Sequence, residues 1–335
     1  MTSHTALTVR TPSDLLACVP LLLGFVPEES AVVISLPPGT GPHVRVDLGE
    51  PEDLTRLACS LVEPTLRHGV RRIALVVFSS LERAPGPARF LARSFAEAGI
   101  EVAALVAADG SRSISLTPGH ENDVPTPYDS LSHPFVAEAV LRGQVVLGSR
   151  EELREQLSPD VDAVARVAAL VDDEVGDGTG PVAVRRSARW VTRCLAAHAR
   201  AGSLPSDEEV ASLVLSLERT PCRDAAWAWV KRVDARAHVE IWLRIVRSTP
   251  VEYATAPAAV LAFHAWLAGD GALAWCAVEH SVASGQSCSL TDLVEDLLER
   301  AAPPHLWTPL MEDAVDEDSW GDVVPMPRQP GPRVG

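Results

Sequence analysis

The residues best suited to chemistry crowd into one short stretch: His120, Glu121, Asp123, Tyr128, Asp129 and His133. Two imidazoles and three carboxylates this close together could ligate a divalent metal or divide acid and base roles between them. The stretch follows an apolar run, Glu101 to Ala107, that reads as a buried strand. It would therefore lie near the carboxyl end of a sheet, where open α/β folds place their ligands. The catalytic candidates are His120, Glu121, Asp123 and His133. The competing reading is a polar surface loop, because the segment is also rich in the turn formers Pro, Gly, Asn and Asp. Asp109-Gly110 divides the same way, into a crevice-facing carboxylate or a plain turn.

A second set is His43, Arg45 and Asp47, alternating with Val44, Val46 and Leu48. The alternation predicts a half-exposed strand with a cation and a carboxylate on its polar face. Arg45 and Asp47, with Asp109, are the ligand-binding candidates; an intramolecular ion pair on an edge strand is the plainer reading. Arg185, Arg189 and Arg193 step by four along a predicted helix, which is either a solvated face or a dock for an anionic partner.

Other chemistry is missing from the sequence. Gly285-Gln286-Ser287-Cys288-Ser289 lacks the second glycine of a nucleophile elbow and follows a helix. Gly176, Gly178 and Gly180 follow no strand, and no Gly-Lys-Ser/Thr occurs. There is no His-Glu-x-x-His and no Cys-x-x-Cys, so neither a metal nor a cofactor is expected. The six scattered cysteines read as buried free thiols in a reducing compartment.

The elements that must position these residues begin at Thr11. Thr11, Pro12 and Asp14 cap a helix, Gly24 and Pro27 end it, and Ala31 to Leu36 is apolar enough for a strand buried on both faces. Pro51 and Pro87 start amphipathic helices, with buried strands at Arg72 to Phe78 and Glu101 to Ala107 and an edge strand at Arg112 to Leu116. This alternation predicts an α/β domain over 1–150, built on a mixed, mostly parallel sheet with flanking helices. An all-helical domain is predicted over 159–308, with tryptophans at 190, 227, 229, 242, 266 and 275 in its core. Within it, 259–286 looks like a tetratricopeptide-type hairpin turning at Gly269-Asp270. Residues 309–335 hold six acidic residues followed by four prolines, and read as a disordered acidic tail.

Pro12, Asp14-Leu15-Leu16, Val19-Pro20, Leu23-Gly24-Phe25, Pro27 and Ser30, then Arg45 and Asp47, make a first recognisable block. Gly143 and Ser149-Arg150-Glu151-Glu152-Leu153 make a second, and Gly269, Gly271-Ala272-Leu273-Ala274 and Leu290 a third. On these blocks the chain resembles the uncharacterised, mainly actinobacterial family called domain of unknown function four-one-nine-two. The resemblance implies no activity, cofactor or partner. Members of that family commonly carry a tryptophan and several cysteines where this chain has Ser111 to Pro127, which contains neither.

The net charge of −16 argues against nucleic acid or an anionic membrane as a partner. Of the 29 basic residues only Lys231 is a lysine. Residues 15–26 are interrupted by Pro20 and too short to span a bilayer, and the opening residues do not read as a secretion signal, so a cytoplasmic location is expected. Two functional classes follow. One is a non-enzymatic interaction or regulatory protein that presents a groove to a protein partner or a small polar ligand. The other is a hydrolase-like or metal-dependent enzyme with its site in the 109–133 loop region.

Overall fold

A computed structural model describes residues 9–37, 41–119, 121, 124–141, 146–176 and 188–310, with the side chains of 173–176 excepted. His120, Asp123, Gly143, Arg185 and the tail from 311 onward lie outside the described residues.

The chain opens with α1 (Pro12–Leu23). Thr11 Oγ1 accepts from the Asp14 N–H at 3.1 Å, and the Asp14 carboxylate accepts from the Thr11 N–H at 2.9 Å, a reciprocal pair that satisfies two otherwise orphaned donors. Gly24 stops the helix in the left-handed region at φ 81°. Six strands follow: β1 (Ser30–Ser35), β2 (His43–Asp47), β3 (Arg72–Phe78), β4 (Glu101–Ala108), β5 (Arg112–Ser115) and β6 (Thr126–Pro127). Helix α2 (Leu54–Arg67) joins β2 to β3, and α3 (Pro85–Glu97) joins β3 to β4.

The sheet order is β2-β1-β3-β4-β5-β6, and only β3 and β4 pair in parallel. This corrects the expectation of a mostly parallel sheet. β1 and β2 form the hairpin their alternation predicts, but α2 then carries the chain across β1 and sets β3 on its far edge. β2 and β3 are thus the parallel ends of a crossover that straddles β1. Side-chain burial accounts for the choice: all six β1 residues are buried, so it belongs inside the sheet, while half-exposed β2 belongs at the edge.

One face of the sheet packs on α2 and α3 through Val33, Leu75, Val77, Leu61, Leu91 and Phe95. The other packs on α1 through Leu15, Leu16, Val19, Val32, Val76 and Phe78. Helix α4 (Pro134–Leu141) lies against α1.

Every element described after β6 is helical. After α4 come α5 (Arg150–Glu155), α6 (Val161–Gly176), α7 (Ala188–Ala201), α8 (Asp207–Leu217), α9 (Thr220–Asp224), α10 (Ala235–Ser248), α11 (Thr255–Ala268), α12 (Gly271–Ala283) and α13 (Ser289–Glu299). Helix α11 is the axis, with Thr255 through Leu267 all buried. Around it Trp227, Phe263 and Trp307 meet with ring centroids 4.7–5.6 Å apart. Gly269 ends α11 at φ 87°, and the Asp270 carboxylate caps α12 by accepting from the Leu273 N–H.

Phe25 is 2% exposed and belongs to this helical core, although the helix it follows packs on the sheet. Four of the six cysteines are buried, as expected; Cys59 is exposed on α2 and Cys194 is half-buried, and none forms a disulfide. Among the described residues no helix is long and apolar enough to cross a membrane.

Candidate functional site

The loop candidates do not converge. Asp109 closes its own turn: one carboxylate oxygen accepts from the Ser111 and Arg112 N–H groups at 3.0 and 2.7 Å, and the other pairs with the Arg112 guanidinium at 3.0 Å. Burial alone would raise its pKa; the hydrogen bonds outweigh it and hold the carboxyl at about 2. Asp129 closes a second turn, accepting from the Leu131 and Ser132 N–H groups and from the Ser132 hydroxyl. Glu121 accepts from the Gly119 N–H at 2.8 Å. His133 leaves the loop altogether: its Nε2 lies 3.2 Å from Asp14 on α1, and its Nδ1 accepts from the Phe135 N–H. Tyr128 is half-buried on the sheet face beneath α1, where burial pushes its phenol to about 12. Local backbone donors and α1 thus satisfy these groups one by one.

Arg45 and Asp47 are also engaged, and the polar face of β2 is not an open one. Arg45 pairs with Asp47 at 2.6 Å while its guanidinium lies 5.7 Å over the Phe25 ring; only 14% of its side chain is exposed. Burial lowers its pKa against the pull of Asp47. Asp47 also reaches Arg150 on α5 at 3.5 Å, and Arg150 reaches Glu279 on α12 at 2.7 Å. Glu279 in turn pairs with Arg154 at 3.0 Å. The ion pair read from the sequence is the sheet end of a chain of charges that ties β2 to α5 and α12.

Beside this seam lies a cleft of about 800 Å³ between the sheet layer and the helices. Its apolar floor comes from Leu21, Leu22 and Leu23 at the end of α1, Leu147 and Leu153 around α5, and Val239, Leu243 and Leu273. The entry to α5 is fixed to the end of α1 by backbone hydrogen bonds from Leu147 to Gly24 at 2.8 Å and from Val26 to Leu147 at 3.0 Å. The polar wall is α10, whose steps of four and three residues put Arg236, Glu240, Arg244 and Arg247 toward the opening.

The cleft's charges balance on paper but not in availability. Arg244 is committed to Asp207, which also holds Arg166 at 2.6 Å. Asp160 and Asp270 serve as helix caps, accepting from Ala163 and Leu273 N–H groups at 3.0 Å each. Burial raises the Asp270 pKa, opposed by that hydrogen bond and by the charge of Arg236. Arg236 and Arg247 make no side-chain hydrogen bond or ion pair with any described residue. The opening therefore offers two exposed guanidinium groups above an apolar floor, Arg247 and Arg236, the latter within electrostatic reach of Asp270, with Glu240 as the exposed counter-charge.

The model of the family described as "Domain of unknown function (DUF4192)" matches residues 12–305. The chain belongs to that family. No curated protein and no solved structure matches it. The three blocks that carry the family resemblance come together here: Leu23, Gly24, Leu153, Gly269 and Leu273 line the cleft, and Arg45, Asp47 and Arg150 form the adjoining ion chain.

Sequence reasoning missed the cleft because its walls are distant in the chain and its lining residues look like ordinary helix positions. The one available signal was the row of arginines at 236, 244 and 247 with Glu240 between them. A second grouping also went unread. Cys194 and His198 stand one turn apart on α7, with Glu209 of α8 beside them.

Proposed function

We propose that this chain is a non-enzymatic, regulatory binding protein whose working surface is the cleft between sheet layer and helices. Its ligand would be a small molecule with an anionic group on an apolar body. The observation that carries the reading is the pairing of an apolar floor with the exposed Arg236 and Arg247 in an open cleft of about 800 Å³, a size within the range of small-molecule sites. Carboxylates and phosphates suit planar guanidinium groups. We read residues 1–150 and 159–308 as two domains and α11–α12 as a tetratricopeptide-like hairpin supporting one wall. Occupancy would then bias how the domains sit together, because each supplies part of the lining.

The enzyme reading has less support. Among the described loop residues Asp109, Glu121 and Asp129 each have a separate local partner and His133 pairs with Asp14 on α1, and the cleft lining contains no histidine, cysteine or tyrosine.

Straight-chain carboxylates of increasing length, screened by thermal shift and then calorimetry on the full chain, test the proposal. Stabilisation should grow with chain length until the cleft is full, reaching about 2.7 kcal/mol at a hundredfold excess over Kd. The double variant R236Q/R247Q should keep its fold and lose most of that affinity. Equal affinity in the variant, or no stabilisation by any carboxylate, would overturn the assignment.

A further inference from the structure

Helix α7 brings Cys194 and His198 onto one face, four residues apart, and the next helix places Glu209 against them. One ligand atom from each residue lies within 4.8 Å of the other two. His198 Nε2 and Glu209 Oε2 are 3.1 Å apart. A tetrahedral zinc ion with Zn–N and Zn–O bonds of about 2.0–2.1 Å needs those two ligand atoms about 3.3 Å apart, and a Zn–S bond of about 2.3 Å puts sulfur about 3.5 Å from them; the His198–Glu209 pair therefore opens by tenths of an ångström, and the Cys194 sulfur closes by up to about 1 Å.

The surroundings hold these groups in place. Glu209 is the third residue of α8, and its Oε2 accepts from the Ser206 N–H at 2.9 Å while Ser206 Oγ caps the helix in return. His198 Nδ1 meets Ser203 Oγ at 2.8 Å, and the Ser203 N–H donates to the His198 carbonyl at 3.1 Å. A hydrogen bond on the far ring nitrogen is the usual device that orients a metal-binding histidine and sets its tautomer. Solvent reaches the group: 15% of the His198 side chain and 40% of the Glu209 side chain are exposed.

We propose that Cys194, His198 and Glu209 form a zinc site that clamps α7 to α8. Thiolate, imidazole and carboxylate together select zinc over magnesium or calcium, which favour all-oxygen sites. Water completes the tetrahedron. Binding releases one proton, from the Cys194 thiol. With Nε2 on the metal, the ring's one proton sits on Nδ1, where it donates to Ser203 Oγ. The loop that carries Ser203 also carries Leu204, which lines the cleft, so the clamp would stiffen one edge of the binding surface.

Cobalt titration of the demetallated full chain is the test. One equivalent should bind and give visible bands of tetrahedral intensity with a thiolate charge-transfer band in the near ultraviolet. Cys194→Ser should abolish the charge-transfer band, while Cys59→Ser, at an exposed thiol remote in sequence, should leave it intact. Ser203→Ala should weaken binding about 10-fold without removing a ligand. Should Cys194→Ser fail to fold, Glu209→Gln serves instead, since its amide oxygen can still accept the Ser206 N–H; it should weaken binding and retain the thiolate band. Weak octahedral bands, substoichiometric binding, or a charge-transfer band that survives Cys194→Ser would overturn the site. No carboxylate ligand enters this experiment, so its result is independent of the cleft assignment.

Discussion

The loop after β4 and the cleft beside α1 invert what their residue types suggest. The loop has histidines, carboxylates and a tyrosine, yet its described side chains satisfy one another within a few residues or reach across to a helix cap. The cleft is mostly leucine and arginine, and two of its guanidinium groups, Arg236 and Arg247, have no ion-pair partner among the described residues. The lesson concerns hydrogen-bond capacity. A short polar side chain next to its own backbone donors is usually consumed by a turn. A long side chain on a helix facing another element has no such nearby sink. Spare capacity marks a surface better than chemical variety does.

The largest test of that contrast is Phe25→Ala. Phe25 leaves the sheet-packed helix to enter the helical core and lies under Arg45, so its removal opens a cavity at the seam. The expected loss is about 3–5 kcal/mol, read by urea unfolding. Asp109→Asn, at the supposedly reactive loop, should cost about 1–2 kcal/mol, because the backbone donors keep an acceptor and only the charge-assisted bond to Arg112 is lost. Comparable losses at the two positions would erase the distinction between seam and loop.

How much of this was legible in the sequence depends on the range over which the information acts. The capping pairs Thr11/Asp14 and Ser149/Glu152, the left-handed ends at Gly24 and Gly269, and the buried character of β1 are local, and residue types specify them. The sheet order is not local. Nothing within α2 says that it must cross β1 before delivering β3; the pairing is decided by which strand edges are already occupied. The cleft is less legible still, since it needs 21–24, 147–160, 236–248 and 268–273 assembled at once. The Cys194–His198 spacing was visible, but its significance depended on the turn that returns Glu209 to the same place.

Acid should expose a second difference between the regions. His238 and His264 are fully buried in the helical core, stacked at 5.1 Å, and neither nitrogen of His238 has a partner among the described residues. Burial pushes the His238 pKa down to about 4 and that of His264 well below its ordinary value. The unfolded chain therefore binds more protons than the folded one between about pH 6.5 and 4. The stability is complete above 6.5 and is lost as the pH falls toward 4. For His238 the loss is on the order of 3 kcal/mol, and His238→Phe should remove much of this slope. A slope unchanged by that substitution would place the acid sensitivity elsewhere.

The last test is at the left-handed end of α1. Gly24 sits at φ 81° with open space where a Cβ would be, so substitution there tests backbone strain alone. Gly24→Val should cost about 1 kcal/mol or more, because a β-branched residue is unfavourable in the left-handed region. Gly24→Asn should recover part of the loss, since asparagine tolerates that conformation. The carbonyl of Gly24 also accepts the Leu147 N–H that fixes the entry to α5. A strained Gly24 should therefore weaken carboxylate binding in the cleft along with stability, while a variant confined to the loop, such as Asp109→Asn, should leave binding unchanged. If Gly24→Val lowers the melting temperature but leaves carboxylate affinity intact, α1 is a support for the sheet and not a wall of the site.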